Sequence, residues 1–105
     1  MTIERAVQRL TSELGEWLGL DVGTLAVGKA ADIVVVDPER LGPALDEVHE
    51  APPLACLGGV SRLVNEGAGA VRHVLVSGRD AIRNGEPSAA LGTQRGLGRV
   101  LRAGP

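Results

Sequence analysis

Apolar residues near the start of the chain fall at Ile3, Ala6, Val7, Leu10, Leu14, Trp17 and Leu18, a spacing that repeatedly returns to one helical face. Thr2 is placed to cap that helix. Thr11-Ser12 offers a second cap with Glu13 behind it, so the pattern predicts two short helical pieces, the second ended by Gly19 in the left-handed conformation. A different pattern follows. Leu25 to Val27 is a short apolar run closed by Gly28, a residue able to take positive φ where the chain reverses, and Lys29-Ala30-Ala31 turns the corner. Asp32 sits where a short carboxylate accepts backbone N–H bonds, ahead of the continuous β-branched run Ile33 to Val36. A run apolar at every position predicts a strand buried on both faces, and Asp37-Pro38 stops it.

Pro38, Gly42, Pro43, Pro52, Pro53, Gly58, Gly59, Gly67 and Gly69 crowd residues 38–70, leaving room for one short helix around Ala44 to His49. An irregular stretch of that length predicts a functional loop, a partner-ordered segment or disorder. From Val71 the strand pattern returns through His73-Val74-Leu75-Val76, turns at Ser77-Gly78, runs back along Asp80-Ala81-Ile82-Arg83 and turns again at Asn84-Gly85. Leu97, Val100 and Leu101 predict a last short strand before the chain ends.

Composition changes this picture in two respects. The 105 residues make one small domain, far short of the roughly 250 of a (β/α)₈ barrel. Aromatic residues are 1% against 44% hydrophobic overall, so the core has to come from Val, Leu, Ile and Ala, with Trp17 its one large anchor. Such a core buries less area per residue, and stability is expected to lean on partner surfaces or close packing. A net charge of −2, from 11 basic and 13 acidic residues, provides no footprint for nucleic acid or an anionic membrane. The single cysteine, Cys56, excludes an internal disulfide, and with neither a leader nor about 18 consecutive apolar residues the expected location is cytoplasmic.

The stretch Gly23-Thr-Leu-Ala-Val-Gly-Lys-Ala-Ala-Asp-Ile-Val-Val-Val-Asp37-Pro38 resembles the segment that follows the catalytic barrel in the amidohydrolase superfamily. Leu10-Thr11-Ser12-Glu13 and Leu18-Gly19-Leu20 match the usual lead-in, a last helix ending at Gly-Leu. Val71-Arg-His-Val-Leu-Val-Ser-Gly78, Arg83-Asn-Gly-Glu-Pro87 and Gly98-Arg-Val-Leu-Arg102 are similar to the closing strands of the family's small sandwich. Gly85-Glu86 and the terminal Gly-Arg-Val-Leu-Arg are most similar to the N-acyl-D-amino-acid deacylase branch. The resemblance covers most of the chain, least well at residues 39–62. It implies a mainly β fold with an N-terminal helix, a small composite β-sandwich of the metal-dependent hydrolase type that lacks the TIM barrel. Residues 1–20 would be a helical connector and residues 21–105 the sandwich, with a long irregular loop at 38–70.

The chemistry of that family needs paired histidines, a modified lysine or cysteine, and an aspartate. Here His49 and His73 stand alone, without His-x-His or His-x-x-x-His spacing, and read as structural or solvated. Cys56, flanked by Leu54, Ala55 and Leu57, reads as a small buried thiol rather than a nucleophile. Asp32 has a sufficient role as a turn carboxylate, and in the family's motif Lys29 lies in a sandwich turn away from the metal. Gly23-x4-Gly28-Lys29 resembles a phosphate loop, but a strand rather than a helix follows the lysine. Arg95, Arg99 and Arg102 read as a solvated end. No residue is therefore assigned a catalytic, metal-binding or cofactor-binding role, and no cofactor is expected. The expected function is that of a non-catalytic, amidohydrolase-like accessory domain, a remnant or fragment of a hydrolase acting on non-peptide C–N bonds, structural or oligomerising in role. The alternatives are one subunit of a split amidohydrolase completed by a separate barrel chain, or a small-molecule binding module using residues 38–70. By resemblance the strands given by an N-terminal segment are missing, which leaves a sheet edge open. The expected partners are a second copy or a barrel-containing chain, not nucleic acid or membrane.

Overall fold

Two cap signals in the first turns fix where the chain becomes helical in this computed structural model, which describes residues 1–53, 58–65, 67 and 69–103. The Thr2 hydroxyl accepts from the Arg5 N–H and starts α1, Ile3–Leu10. The helix stops at Thr11, whose φ and ψ of −124° and −90° are not helical, and α2 resumes as Ser12–Trp17. Gly19 then takes φ 66°, and its N–H and that of Leu20 bond back to Glu16 and Gly15.

Among the described residues six short strands follow: β1 Ile33–Val36, β2 His49–Ala51, β3 Arg62–Val64, β4 Val71–Val76, β5 Arg79–Arg83 and β6 Glu86–Pro87. They form a four-stranded antiparallel sheet ordered β1-β4-β5-β6 and a separate antiparallel ribbon of β2 and β3. Two tight turns set the order of the meander β4-β5-β6. Ser77-Gly78 has φ of 50° and 76°, and Asn84-Gly85 has 53° and 81°. Positive φ at both central residues is the turn whose twist matches that of the strands it joins. Register shifts interrupt the ladder between Val35 and Val36 and between Val74 and Leu75.

Five expectations change. The strand Ile33–Val36 forms, but at the sheet edge rather than buried on both faces, and Val34 is 57% exposed. An unbroken apolar run is compatible with burial by another polypeptide as well as by its own. Trp17 is not the core anchor, because α2 holds it outward and 80% exposed. Residues 38–70 are not uniformly irregular: they hold 3₁₀ turns at Pro38–Arg40 and Pro43–Asp46 and the β2-β3 ribbon. The expected helix near Ala44 is only the second of those turns. Among the described residues no strand forms around Leu97 to Leu101.

The helical start and antiparallel sheets make the domain mainly β, yet they enclose little. Among the described residues the buried apolar ones are Ala51, Ala70 and Ala81, and no large side chain is fully buried. The solvent-accessible surface is 8353 Å² for 10.8 kDa, where a folded monomer of that mass exposes about 5,500 Å². The radius of gyration is 15.9 Å, against about 13 Å for a close-packed domain of this length. The apolar residues of β4 are half-buried, and many others, Trp17, Leu25, Val27 and Val34 among them, lie exposed.

Candidate interaction surface

Four of the exposed apolar residues, Val7, Leu25, Val34 and Val36, face the space between the helices and β1. A groove of about 560 Å³ opens there, with Val7 of α1 on one wall, Val22 and Leu25 on the connecting segment, and Ile33, Val34 and Val36 along the sheet. Glycines hold the connecting segment against the helical break. Gly23, at φ 83°, brings its backbone so near Thr11 that an added Cβ would lie 2.5 Å from the Thr11 carbonyl carbon. Gly15 is as tight on the other side, its missing Cβ 2.6 Å from the Val22 carbonyl oxygen. The far end of the segment is tied by an ion pair of Lys29 with Asp21.

One wall of the groove continues into the outer edge of β1, which pairs with no further strand among the described residues. The N–H of Gly78 donates to the Ala31 carbonyl at 2.9 Å and the N–H of Asp37 to the Ala70 carbonyl at 2.8 Å, so both residues turn their backbone toward the β4 side. Backbone direction alternates along a strand. Ile33 and Val35 therefore also face β4, and the N–H and C=O groups of Val34 and Val36 point outward. No lysine or proline guards the strand from Ile33 to Val36, although exposed edges are usually blunted in that way.

The residues weighed for chemistry do not come together. His73 lies on β4 opposite Val35 and Arg83, while His49 opens β2 in the separate ribbon, opposite Val64. Among the described residues no group of three or more His, Cys, Asp and Glu side chains is placed to hold a metal ion. Cys56 lies outside the described residues. Asp32 accepts the Ser77 N–H at 2.8 Å, locking the β4-β5 turn to the start of β1. Arg95, Arg99 and Arg102 are exposed. The Glu4 carboxyl is held below its ordinary pKa by a backbone hydrogen bond at the start of α1 and then by the Thr2 hydroxyl. The arrangement is suited to binding a polypeptide surface, through apolar contact and strand pairing. Sequence reasoning missed the groove, although scarce aromatics beside an unguarded apolar strand were its signal.

Relatives of the chain are found in mycobacteria. An uncharacterised protein of Mycobacterium bovis and two of Mycobacterium tuberculosis are each 40% identical to it over 108 residues. The match takes in 99% of this chain and 18% of each relative, so the chain spans less than a fifth of their length. No family model matches, and no solved structure matches. No helix among the described residues is long and apolar enough to cross a membrane.

Proposed function

We propose that this chain is a non-catalytic accessory domain of amidohydrolase type, related to hydrolases of non-peptide C–N bonds, and that it works by packing its apolar face against another polypeptide. The observation that carries the reading is the inverted burial, with 8353 Å² exposed where about 5,500 Å² is usual. Surplus surface of that kind marks an interface. The amidohydrolase part rests on the order of the motifs from Gly23 to Arg102, and in this reading the sheet is one share of a composite sandwich. The partner is protein, since a net charge of −2 offers no attraction for nucleic acid or anionic lipid. The domain works in the cytoplasm, where the thiol of Cys56 stays reduced.

A second reading, a subunit of a split amidohydrolase completed by a separate barrel chain, is favoured by the relatives, whose matched part is 18% of a much longer protein. The experiment that tests both supplies the purified chain with Zn²⁺ and N-acyl-D-amino acids. No turnover above buffer is expected from the chain alone. Zinc-dependent hydrolysis by the chain alone would overturn the accessory reading, and hydrolysis appearing only with a co-purified barrel protein would favour the second.

A further inference from the structure

We infer that Asn84 is a modification site: its side-chain amide is lost as ammonia through attack by the Gly85 nitrogen, at a rate gated by the β5-β6 turn, and the isoaspartyl product releases β6. The inference is independent of the accessory reading, because β6 lies at the end of the sheet opposite β1.

Asparagine side chains reach the backbone of their own neighbours, and the residue that follows decides whether such an approach becomes a bond. Gly85 has no Cβ to keep its nitrogen from the Asn84 Cγ. Asn84 is itself exposed, so base and water reach it. Once the Gly85 N–H gives its proton to base, the nitrogen attacks Cγ; the N–Cγ bond forms, the Cγ–Nδ2 bond breaks, and Nδ2 leaves as ammonia with a proton from solvent. Water then opens the cyclic imide at one carbonyl or the other, giving aspartate, or isoaspartate with the main chain running through Cβ and Cγ. The sum is asparagine and water to acid and ammonia, with nothing oxidised or reduced. Asn65, the other asparagine, is followed by glutamate rather than glycine and is an internal control.

In the folded chain the nucleophile is occupied. The Gly85 N–H donates to the Arg72 carbonyl at 2.8 Å, and φ of 53° at Asn84 and 81° at Gly85 shape the turn that places it there. Cyclisation has to break that bond, so it waits for the turn to open, as amide exchange does. Little holds the turn closed from the β6 side. That strand is only Glu86–Pro87, Pro87 has no N–H to give, and beyond it the Ser88 N–H donates to the Ala81 carbonyl at 2.9 Å. An aspartyl product tolerates positive φ and keeps the turn. Isoaspartate adds a main-chain carbon, and since turn length fixes hairpin register, the pairings of Ile82 with Pro87 and Arg83 with Glu86 are lost.

Peptide mapping by mass spectrometry of the chain held at mildly alkaline pH tests this, with isoaspartate told from aspartate by fragmentation. In urea, amide loss at Asn84 is expected to outpace that at Asn65 by an order of magnitude or more. In the folded chain it should slow at least as much as hydrogen exchange of the Gly85 N–H slows, because both need the same proton freed. In the isoaspartyl fraction the Ser88 N–H should lose its protection, whereas Asn84→Asp, which has the charge without the altered linkage, should keep it. If Asn84→Asp does not fold, the aspartyl fraction of the aged protein serves the same comparison. Loss at Asn84 no faster than at Asn65 in urea, loss from the folded chain less slowed than exchange at Gly85, or Ser88 protection unchanged in the isoaspartyl fraction would each overturn the inference. The accessory reading stands or falls separately, on zinc-dependent activity.

Discussion

Replacing Gly23 by alanine strikes the contact that holds the groove open, and its cost can be worked from the structure. The new Cβ would lie 2.5 Å from the Thr11 carbonyl carbon, 2.6 Å from its oxygen and 2.9 Å from the Ser12 nitrogen. All three are backbone atoms, so no rotamer change relieves the overlap. They are also tied in place, because the Thr11 hydroxyl donates to the Val7 carbonyl at 2.7 Å and the Gly15 N–H donates to the Thr11 carbonyl at 3.0 Å. Holding alanine in the left-handed region costs about 1–2 kcal/mol, and displacing packed backbone adds about 1–3 kcal/mol. Gly28→Ala is the control, for Gly28 has φ 85° and nothing within 4 Å of its missing Cβ. It incurs only the conformational part. In urea, with m near 1 kcal/mol/M for a domain of this size, the Gly23→Ala midpoint should fall below that of Gly28→Ala by about 1–3 M. Far-UV circular dichroism is the assay, at one low protein concentration, because association raises apparent stability. Coincident midpoints for the two variants would refute the close approach of Gly23 to the helical break.

Asp32→Ala removes the acceptor of the Ser77 N–H and should destabilise the fold by about 1–2 kcal/mol, with Asp32→Asn recovering part of the loss; equal stability of Asp32→Ala and the unaltered chain by urea titration would dismiss the bond. Glu4 should titrate below its ordinary value, so its contribution to α1 is present above that value and is lost as pH falls through the lowered one. Carboxyl chemical shifts should show this, with the midpoint rising in Thr2→Ala.

The elements legible in the sequence were those specified by neighbours along the chain. The break at Thr11 was signalled by Thr11-Ser12 with Glu13 behind them, and the turns by Ser77-Gly78 and Asn84-Gly85, whose residue types suit positive φ. Elements that depend on what lies across space were not legible. Ile33 to Val36 reads alike whether its own fold or another chain covers it, and Trp17 sits on the same helical stripe in either case. The β2-β3 ribbon was hidden because its short strands flank Pro52 and Pro53 and show no clean alternation. For the site, the groove was not legible, since it is assembled from α1, the segment after α2 and the sheet.

The sheet order has a kinetic consequence. β4, β5 and β6 are joined by two-residue turns and form as consecutive hairpins, each on a timescale of about 1–10 μs. β1 reaches its partner only by closing a long loop, with Ile33 opposite Leu75, at an entropic cost of about 3 kcal/mol. The meander forms first and β1 docks onto it. Substitutions at Ser77 or Asn84 should therefore slow folding, whereas those in β1 should chiefly speed unfolding. Until β1 arrives, β4 is itself an open edge. During synthesis and refolding the chain thus passes through a state in which any β-prone segment can take the place of β1, and low concentration or rapid capture by the partner is what keeps the pairing correct.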